Sequence, residues 1–176
     1  FEKAGMAQSD ATFCAEALGQ TDLWGIGSHG ILRVPIYTQR LLSGAVNATP
    51  DVRVTTGKRA LAMVDGDNGM GFIVGREAMD HAINLAGEFG VAAVGALNSN
   101  HFGATALYVR RAAEQNMIGI GMSNVVQNMV VPGGSRPVVG NNPIAVAVPT
   151  FGEFPFVLDI SLSAVAGGKL LLASKN

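Results

Sequence analysis

The chain has 176 residues, of which 48% are hydrophobic and 14% are charged, and its formal net charge is −1. This length suffices for a buried core, and the composition excludes a disordered chain. The near-neutral charge provides no basic surface for nucleic acid, and no apolar run reaches the roughly 18 residues of a membrane span. The single cysteine, Cys14, excludes an internal disulfide and fits a reducing compartment, so we expect a cytoplasmic protein.

The first 50 residues are predicted to form a small helical region. A helical pattern covers residues 1–18, with Ser9 or Asp10 as the N-cap and Gly19 as the terminating residue. A glycine-bearing loop follows, and a second helix is predicted over 36–42. Because proline is tolerated in a first turn and disruptive later, Pro35 implies either that this helix begins near Val34 or that a short turn precedes it. We therefore expect two helices joined by a loop that can bring backbone close to a ligand.

Three polar residues of chemical interest lie in this region. His29, Arg33 and Tyr37 recur at four-residue spacing, which would place them on one helical face. Histidine exchanges a proton near neutral pH, and arginine offers a planar set of donors that fits a carboxylate. The pattern therefore suggests a proton donor beside an anionic substrate. On spacing alone, a simpler interpretation is favoured: an exposed helix with Ser28 as its N-cap and solvated charges.

From residue 51 onward, strands alternate with helices. Strands are predicted over 52–55, 60–64, 91–96, 117–123, 144–148 and 156–159, and helices over 73–89 and 104–115. The alternation between residues 60 and 123 by itself favours a parallel, doubly wound sheet. The dinucleotide fingerprint that such a sheet carries is missing, because the Gly69-Met70-Gly71 run lacks the third glycine at the required spacing.

Two further polar residues stand at predicted strand ends. His101 lies in a polar run, Asn98–Gly103, between a buried strand and a helix, and Asp159 ends the last strand. Such strand ends are where α/β proteins place ligand groups, although both residues could simply cap the helices that follow them. No Gly-x-Ser-x-Gly motif and no zinc-ligand spacing occurs, so neither serine-hydrolase chemistry nor a metal site is expected.

Taken together, the motifs closely resemble those of one family, the type 2 malate/L-lactate dehydrogenases. In chain order they are Gly25–Gly30 with Arg33 and Tyr37, Asp65–Gly71, Asn98–Gly103 with Tyr108, Gly140–Pro143, and Leu158-Asp159. Members are NAD(P)-dependent oxidoreductases of 2-oxoacids and 2-hydroxyacids, unrelated to the Rossmann lactate dehydrogenases. They are longer than this chain, which begins without methionine and ends in a helix-like pattern over 169–176, so we expect their N-terminal and middle part. One loop, Val130–Gly134, departs from the family pattern, because its proline directly precedes the glycine pair.

The resemblance implies an α/β (α+β) fold. Its sheet domain is non-Rossmann, mixed and largely antiparallel, and is flanked by helices, which replaces the doubly wound expectation. Residues 1–50 would carry the histidine and arginine, and residues 51–176 would form a cofactor-binding domain that is incomplete at its C-terminus. The implied cofactor is NAD or NADP, and the implied substrate is a small anionic 2-oxoacid. The apolar composition leaves surface for a partner subunit, so we expect a homodimer.

The resemblance also assigns roles to matching residues. His29 is the acid/base group, but His101 lines the same cleft and carries the proton in some members, so the choice between them is open. Arg33 would bind the substrate carboxylate, and Ser28 and Tyr37 are the other two substrate-binding positions. Asp159 completes the catalytic set and would orient a histidine. The positions that match cofactor-binding residues are Asn124, Asn141, Asp159, Ile160 and Ser161.

Two alternatives stay open. The same carboxylate clamp and cofactor would serve a reductase of a cyclic imine carboxylate. A different class is a non-catalytic module that binds small anions, or an inactive fragment with an incomplete cofactor site.

Overall fold

The structure is a computed structural model that describes residues 1–164 and residue 173. Apart from residue 173, the helix predicted over 169–176 lies outside the described residues. The helices are α1 (Gln8–Leu23), α2 (Val34–Leu42), α3 (Gly71–Phe89) and α4 (Ala106–Glu114), with short 3-10 helices at Glu2–Ala4 and Ile31–Arg33. The strands are β1 (Arg53–Thr56), β2 (Leu61–Gly69), β3 (Ala93–Ser99), β4 (Gly119–Met122), β5 (Met129–Val130), β6 (Pro137–Val139), β7 (Ile144–Val148) and β8 (Phe156–Ile160).

The strands form small sheets of mixed direction. In the β1-β2-β3 sheet, β1 is antiparallel to β2, whereas β2 and β3 are parallel and connected through α3. The β4-β7-β8 sheet is antiparallel throughout, and β5 and β6 form an antiparallel pair. This arrangement confirms the mixed, largely antiparallel fold. Among the described strands, the doubly wound pattern is limited to one parallel pair.

Helix α1 differs from the prediction at both ends. It begins after Ala7 with no side-chain cap and continues through Gly19 to Leu23. The buried face that includes Leu18 extends to Thr21, whose hydroxyl donates to the Ala17 carbonyl at 2.7 Å. Burial of this face therefore outweighs the roughly 1 kcal/mol that a glycine costs inside a helix.

The glycine-bearing segments also form more regular structure than predicted. Strand β2 runs on to Gly69 with a shifted register after Asp65, where a loop was predicted. A missed hairpin, β5-β6, surrounds the segment Val131–Gly134, in which the Gly134 N–H donates to the Val131 carbonyl at 2.9 Å. Pro132 followed by Gly133 at φ +79° is the order typical of a type II turn, so the segment that departs from the family pattern forms a tight turn.

Two apolar clusters hold the helices in place. The first packs α1 and α2 against the start of α3 and includes Leu18, Tyr37 and Phe72. The second packs α4 against β7 and includes Val109 and Ala145. The loop between β3 and α4 crosses the start of α3, which belongs to the first cluster, and leads into α4, which belongs to the second. The division into regions 1–50 and 51–176 stays a prediction, and none of the described helices is long and apolar enough to cross a membrane.

Candidate active site

The segment that carries His29 is anchored by the carboxylate of Asp22. Its Oδ2 atom accepts a hydrogen bond from the Ile31 N–H at 2.9 Å, at the start of the 3-10 helix. A Cβ atom on Gly30 would lie only 1.9 Å from Asp22 Oδ1, so any larger residue there would force the Asp22 carboxylate to shift. The backbone next to His29 is thereby fixed by a residue of α1.

Ser28 forms hydrogen bonds with both His29 and Arg33. Its hydroxyl lies 2.8 Å from His29 Nδ1, and its carbonyl accepts a hydrogen bond from Arg33 Nε at 2.8 Å. The Ser28 side chain is buried and caps no helix, since the residues that precede the 3-10 helix and α2 are Gly30 and Arg33. The N-cap interpretation of Ser28 is therefore wrong. The prediction that His29, Arg33 and Tyr37 share one helical face is wrong as well. His29 precedes the 3-10 helix, Arg33 is the last residue of that helix, and Tyr37 lies in α2.

Arg33 has a half-buried guanidinium group with an unmatched charge. No carboxylate lies within 4 Å of it in the part of the chain that the structure describes. The hydrogen bond from Nε to Ser28 fixes the group and leaves its two terminal nitrogens for another acceptor. A fixed and unpaired guanidinium is suited to a small carboxylate.

His101 reaches the same place from the loop that follows β3. Its Nδ1 atom lies 2.6 Å from the Tyr37 hydroxyl and accepts a hydrogen bond from the Gly103 N–H at 3.2 Å. The loop crosses the start of α3 so closely that a Cβ atom on Gly71 would lie 2.1 Å from the Asn100 carbonyl oxygen. The side chains of Tyr37 and His101, which are 64 positions apart in the sequence, are thus brought into contact.

The backbone on both sides of His101 is also held. Asn100 donates through Nδ2 to the Gly69 carbonyl at 3.0 Å. The buried Tyr108 donates its hydroxyl to the Phe102 carbonyl, and the two rings stack with centroids 5.1 Å apart. Tyr108 belongs to a motif noted in the sequence, but spacing alone indicated no contact with this loop.

The two histidines form a pair. Their ring centroids are 5.5 Å apart, and the ring planes differ by 21°. Burial among neighbouring atoms, followed by the charge of Arg33, lowers the pKa of His29 to about 4. The pKa of His101 is lowered to about 4 by the same desolvation, then by the charges of His29, Arg33 and Arg40. Both rings are therefore neutral at pH 7.

Asp159 lies apart from this pair. Its Oδ2 atom accepts a hydrogen bond from the Ala106 N–H at 2.7 Å, which caps the N-terminus of α4 rather than of a following helix. Burial raises the pKa of Asp159, while hydrogen bonds from Ala106 and Thr105 oppose that shift. No hydrogen bond or ion pair joins it to His29 or His101 among the described residues, so its predicted orientation of a histidine is not seen.

The carboxylate of Asp159 also borders an open cavity of about 280 Å³. The cavity lies where the end of α1 approaches α4 and β8. The other lining residues are Trp24, Ile26, Ala106, Arg110 and Val157. The catalytic role of Asp159 stays a prediction.

The predicted cofactor positions come together at one end of the β4-β7-β8 sheet. The Leu162 N–H, beyond β8, donates to the Asn141 carbonyl at 2.8 Å, and the Ser123 N–H donates to the Pro143 carbonyl at 3.2 Å. Asn124 follows β4, whereas Ile160 and Ser161 lie at the end of β8. These positions therefore lie at the same end of the sheet.

A further residue at this end of the sheet was not among the predicted site residues. Asn142 accepts a hydrogen bond from the Val125 N–H through Oδ1 at 3.0 Å. A Cβ atom on Gly140 would lie 2.2 Å from the Val125 carbonyl oxygen, so the turn before β7 packs tightly against the segment after β4. Asn142 belongs to the Gly140-Asn141-Asn142-Pro143 motif, which is the sequence signal that pointed to this turn.

The fold and the cleft define a class: a non-Rossmann α/β protein with a histidine pair beside an arginine suited to a small acid. The family model for malate/L-lactate dehydrogenase matches residues 1–176, and the chain belongs to this family.

Named relatives with related activities support this assignment. Malate dehydrogenase from Pyrococcus horikoshii is 42% identical over 168 residues, which are 96% of this chain and 46% of that protein. The (2R)-3-sulfolactate dehydrogenase (NADP(+)) of Chromohalobacter salexigens is 38% identical over 99% of this chain and 52% of its own length. Ureidoglycolate dehydrogenase (NAD(+)) of Escherichia coli K12 is 37% identical over 99% of this chain and 50% of its own length. The chain thus spans about half the length of these relatives.

Solved structures share the fold. The structure of malate dehydrogenase from Pyrococcus horikoshii superposes with a TM-score of 0.91 at 42% identity, over 96% of this chain and 48% of that one. The delta1-piperideine-2-carboxylate reductase from Pseudomonas syringae superposes with a TM-score of 0.90 at 34% identity, over 98% of this chain and 52% of that one. Relatives with different substrates therefore share this half of the fold.

Proposed function

We propose that the full-length protein is an NAD(P)-dependent oxidoreductase that interconverts a small 2-oxoacid and the corresponding 2-hydroxyacid. The observation that carries the proposal is the Arg33 guanidinium, which pairs with no carboxylate among residues 1–164, beside the stacked pair His29 and His101. An arginine fixed in this way binds the carboxylate, and a histidine exchanges the proton with the C2 oxygen. Family membership supports the reaction class, and the names of two relatives support either NAD or NADP.

The residues at the end of the β4-β7-β8 sheet have suitable chemistry for a nicotinamide nucleotide. Asn124, Asn141 and Ser161 offer neutral amide and hydroxyl groups, which match a carboxamide and ribose hydroxyls. Ile160, a large apolar side chain that is 45% exposed, offers apolar surface for a ring. We assign these residues and Asp159 to the cofactor site. When bound, the nicotinamide supplies or accepts the hydride.

The protein itself would supply orientation and proton transfer. Arg33 would hold the carboxylate so that the C2 oxygen faces the open edges of the histidine rings. Ser28 and Tyr37 are each only 4% exposed and contact the histidines directly. We therefore assign them as positioning residues rather than as direct substrate ligands. A correctly placed proton donor is worth about 10² to 10⁴ in rate.

A second candidate, reduction of a cyclic imine carboxylate, is supported by the similarity to the piperideine-carboxylate reductase. Its substrate also carries a carboxylate next to an unsaturated carbon, so the Arg33 clamp would serve it equally. Small anionic substrates are common to both candidates. A homodimer and a cytoplasmic location stay predictions.

The test is a substrate panel with the full-length protein. Pyruvate, oxaloacetate, sulfopyruvate and a cyclic imine carboxylate are assayed with NADH and with NADPH, and loss of nicotinamide absorbance is followed. We expect turnover with at least one 2-oxoacid and none with its neutral amide. Turnover with the imine alone would favour the second candidate. A change in nicotinamide fluorescence without turnover of any substrate would contradict both.

A further inference from the structure

We propose that Arg40 is a second anion-binding residue of the cleft, which fits a 2-oxoacid whose tail carries a carboxylate or a sulfonate. This inference rests on the proposed function and deepens it, because it names the substrate class. It is carried by the position of Arg40 on the side of α2 that faces the histidine pair. It is also carried by the charge of Arg40, which pairs with no carboxylate among the described residues.

The side of α2 that faces the cleft is identified by Tyr37. This residue is buried, and its hydroxyl lies 2.6 Å from His101 Nδ1. Arg33 is the N-cap residue of α2, with a right-handed helical backbone, and Arg40 lies in the last turn. Tyr37 follows Arg33 by four residues and precedes Arg40 by three, so these side chains lie along one side of the helix. The two arginine Cα atoms are separated by about 10 Å of helix, which long side chains can bridge to one small molecule.

The two arginines act on different parts of the histidine pair. Burial lowers the pKa of His29, and the charge of Arg33 lowers it further. The pKa of His101 is lowered by burial, then by the charges of His29, Arg33 and Arg40. Burial raises the pKa of Tyr37, and the charges of Arg33 and then Arg40 oppose that rise. Arg33 therefore serves the whole pair, whereas Arg40 lies on the His101 side of the cleft.

The Arg40 guanidinium is available for a ligand. The described arginines that have a carboxylate within 4 Å are Arg53, Arg76, Arg110 and Arg111. Arg40 is exposed, and its hydrogen bonds within residues 1–164 are those that its carbonyl accepts from the Ser43 hydroxyl and the Val46 N–H. The side chain thus keeps its planar set of donors, which suits a carboxylate or a sulfonate.

The charge balance of the cleft favours a substrate with two negative charges. A 2-oxoacid with an uncharged tail, such as pyruvate, carries one carboxylate, which Arg33 would bind. The positive charge of Arg40 would then stay unmatched beside His101. A second anionic group, one or two atoms beyond C2, would match it. Carboxylate and sulfonate tails share this chemistry, so the inferred class is a dianionic 2-oxoacid.

A phosphate of the cofactor is the other anionic group to consider for Arg40. The residues assigned to the cofactor lie at the end of the β4-β7-β8 sheet, after β4 and β8. Arg40 lies instead on α2, on the side that carries Tyr37 to His101. The observations therefore favour the substrate tail over the cofactor.

The first test compares kcat/KM of the full-length protein for oxaloacetate, sulfopyruvate and pyruvate. We expect Arg40→Ala to lower the preference for each dianion over pyruvate about 10-fold, since a charged hydrogen bond is lost at an exposed site. Arg40→Lys should retain most of the preference, because it keeps the charge. Gln39→Ala, an exposed neighbour on α2, is the matched control and should leave the preference unchanged. An unchanged preference in Arg40→Ala, or a higher KM for the cofactor alone, would overturn the proposal.

The second test needs no turnover. Oxamate carries one negative charge, and N-oxalylglycine is an oxamate with a second carboxylate on its tail. Calorimetry of the full-length protein with bound NADH or NADPH should show about 10-fold tighter binding of N-oxalylglycine. This advantage should shrink at high salt and disappear in Arg40→Ala. Equal affinities in wild type, or no binding of either compound, would overturn the proposal. A binding preference without turnover of any substrate would contradict the proposed function and leave the role of Arg40 supported.

Discussion

The His29 segment and the His101 loop line the same cleft but are held in place by different kinds of contact. The His29 segment is held by side chains: the Asp22 carboxylate binds the Ile31 N–H, and the Ser28 hydroxyl contacts the imidazole. The His101 loop is held by backbone packed against backbone at Gly71 and by the Gly103 N–H. A hydroxyl can reverse its hydrogen bond, but a peptide N–H cannot. The contrast shows that the cleft joins a segment whose hydrogen bonds can rearrange to a loop whose backbone contacts have a fixed direction.

Among the contacts that hold the two segments in place, the largest effect should come from breaking the side-chain anchor of the His29 segment. In Gly30→Ala, the new methyl group would displace the Asp22 carboxylate from the Ile31 N–H, because they would otherwise lie 1.9 Å apart. A displacement of about 1 Å at a catalytic group can cost about 10² in rate, so we expect at least that loss in kcat. Steady-state kinetics of the full-length enzyme measure it.

Gly19→Ala is the matched control. Nothing lies within 4 Å of a Cβ atom on Gly19, which is inside α1. This variant should keep full turnover and gain up to about 1 kcal/mol in the free energy of unfolding. Equal turnover in both alanine variants would show that the Asp22 anchor does not position His29.

A smaller effect is expected on the backbone-held side. Tyr108→Phe keeps the ring stacked on Phe102 but removes the hydroxyl that binds the Phe102 carbonyl. Losing the partner of a buried polar group costs about 1 to 3 kcal/mol, which urea unfolding measures. We also expect kcat to fall with little change in KM, because Arg33 is unaffected. A rise in KM alone would contradict the assignment of Tyr108 to the His101 loop.

The prediction for Asp159 concerns the end of the same loop. Asp159→Ala removes the cap from the Ala106 N–H and should lower the free energy of unfolding by about 1 kcal/mol. Asp159→Asn retains a side-chain oxygen acceptor and should restore most of that loss. If the asparagine variant is as stable as wild type but inactive, Asp159 has a chemical role beyond the cap.

The pH dependence of stability should report both histidines together. Each has a pKa lowered from 6.5 to about 4 in the folded state, so the unfolded chain binds more protons between these values. The two histidines therefore do not reduce the free energy of unfolding above about pH 6.5, and they reduce it increasingly as the pH falls toward 4. Thermal melts across this range check the direction. Neither H29Q nor H101Q should lose as much stability on acidification as wild type.

Local features of the fold were predictable from the sequence because local chemistry determines them. Strand β7 spans the predicted residues Ile144–Val148, and α3 ends at Gly90 in the left-handed conformation expected of a C-cap glycine. The end of α1 was not predictable, because tertiary burial of Leu18 and Thr21 carries the helix through a glycine.

The histidines and the arginine were identified from their chemical types and their family motifs, but their contacts were not. No sequence pattern indicates that Tyr37 and Gly103 meet at one nitrogen of His101. Nor does any sequence pattern indicate that Asp159 caps α4, a helix that precedes it in the chain. Such contacts depend on how distant elements pack.

Arg33 is the residue that we propose recognises the carboxylate of a small 2-oxoacid within a nicotinamide-dependent site. The most direct measurement is kcat/KM of the full-length enzyme for its best 2-oxoacid, in wild type, Arg33→Ala and Arg53→Ala. Arg53 is an exposed control whose salt-bridge partner is Asp51. We expect a loss of about 10² or more for Arg33→Ala, because a charged hydrogen-bond partner of the substrate is removed, and none for Arg53→Ala. Equal values in all three proteins would contradict it.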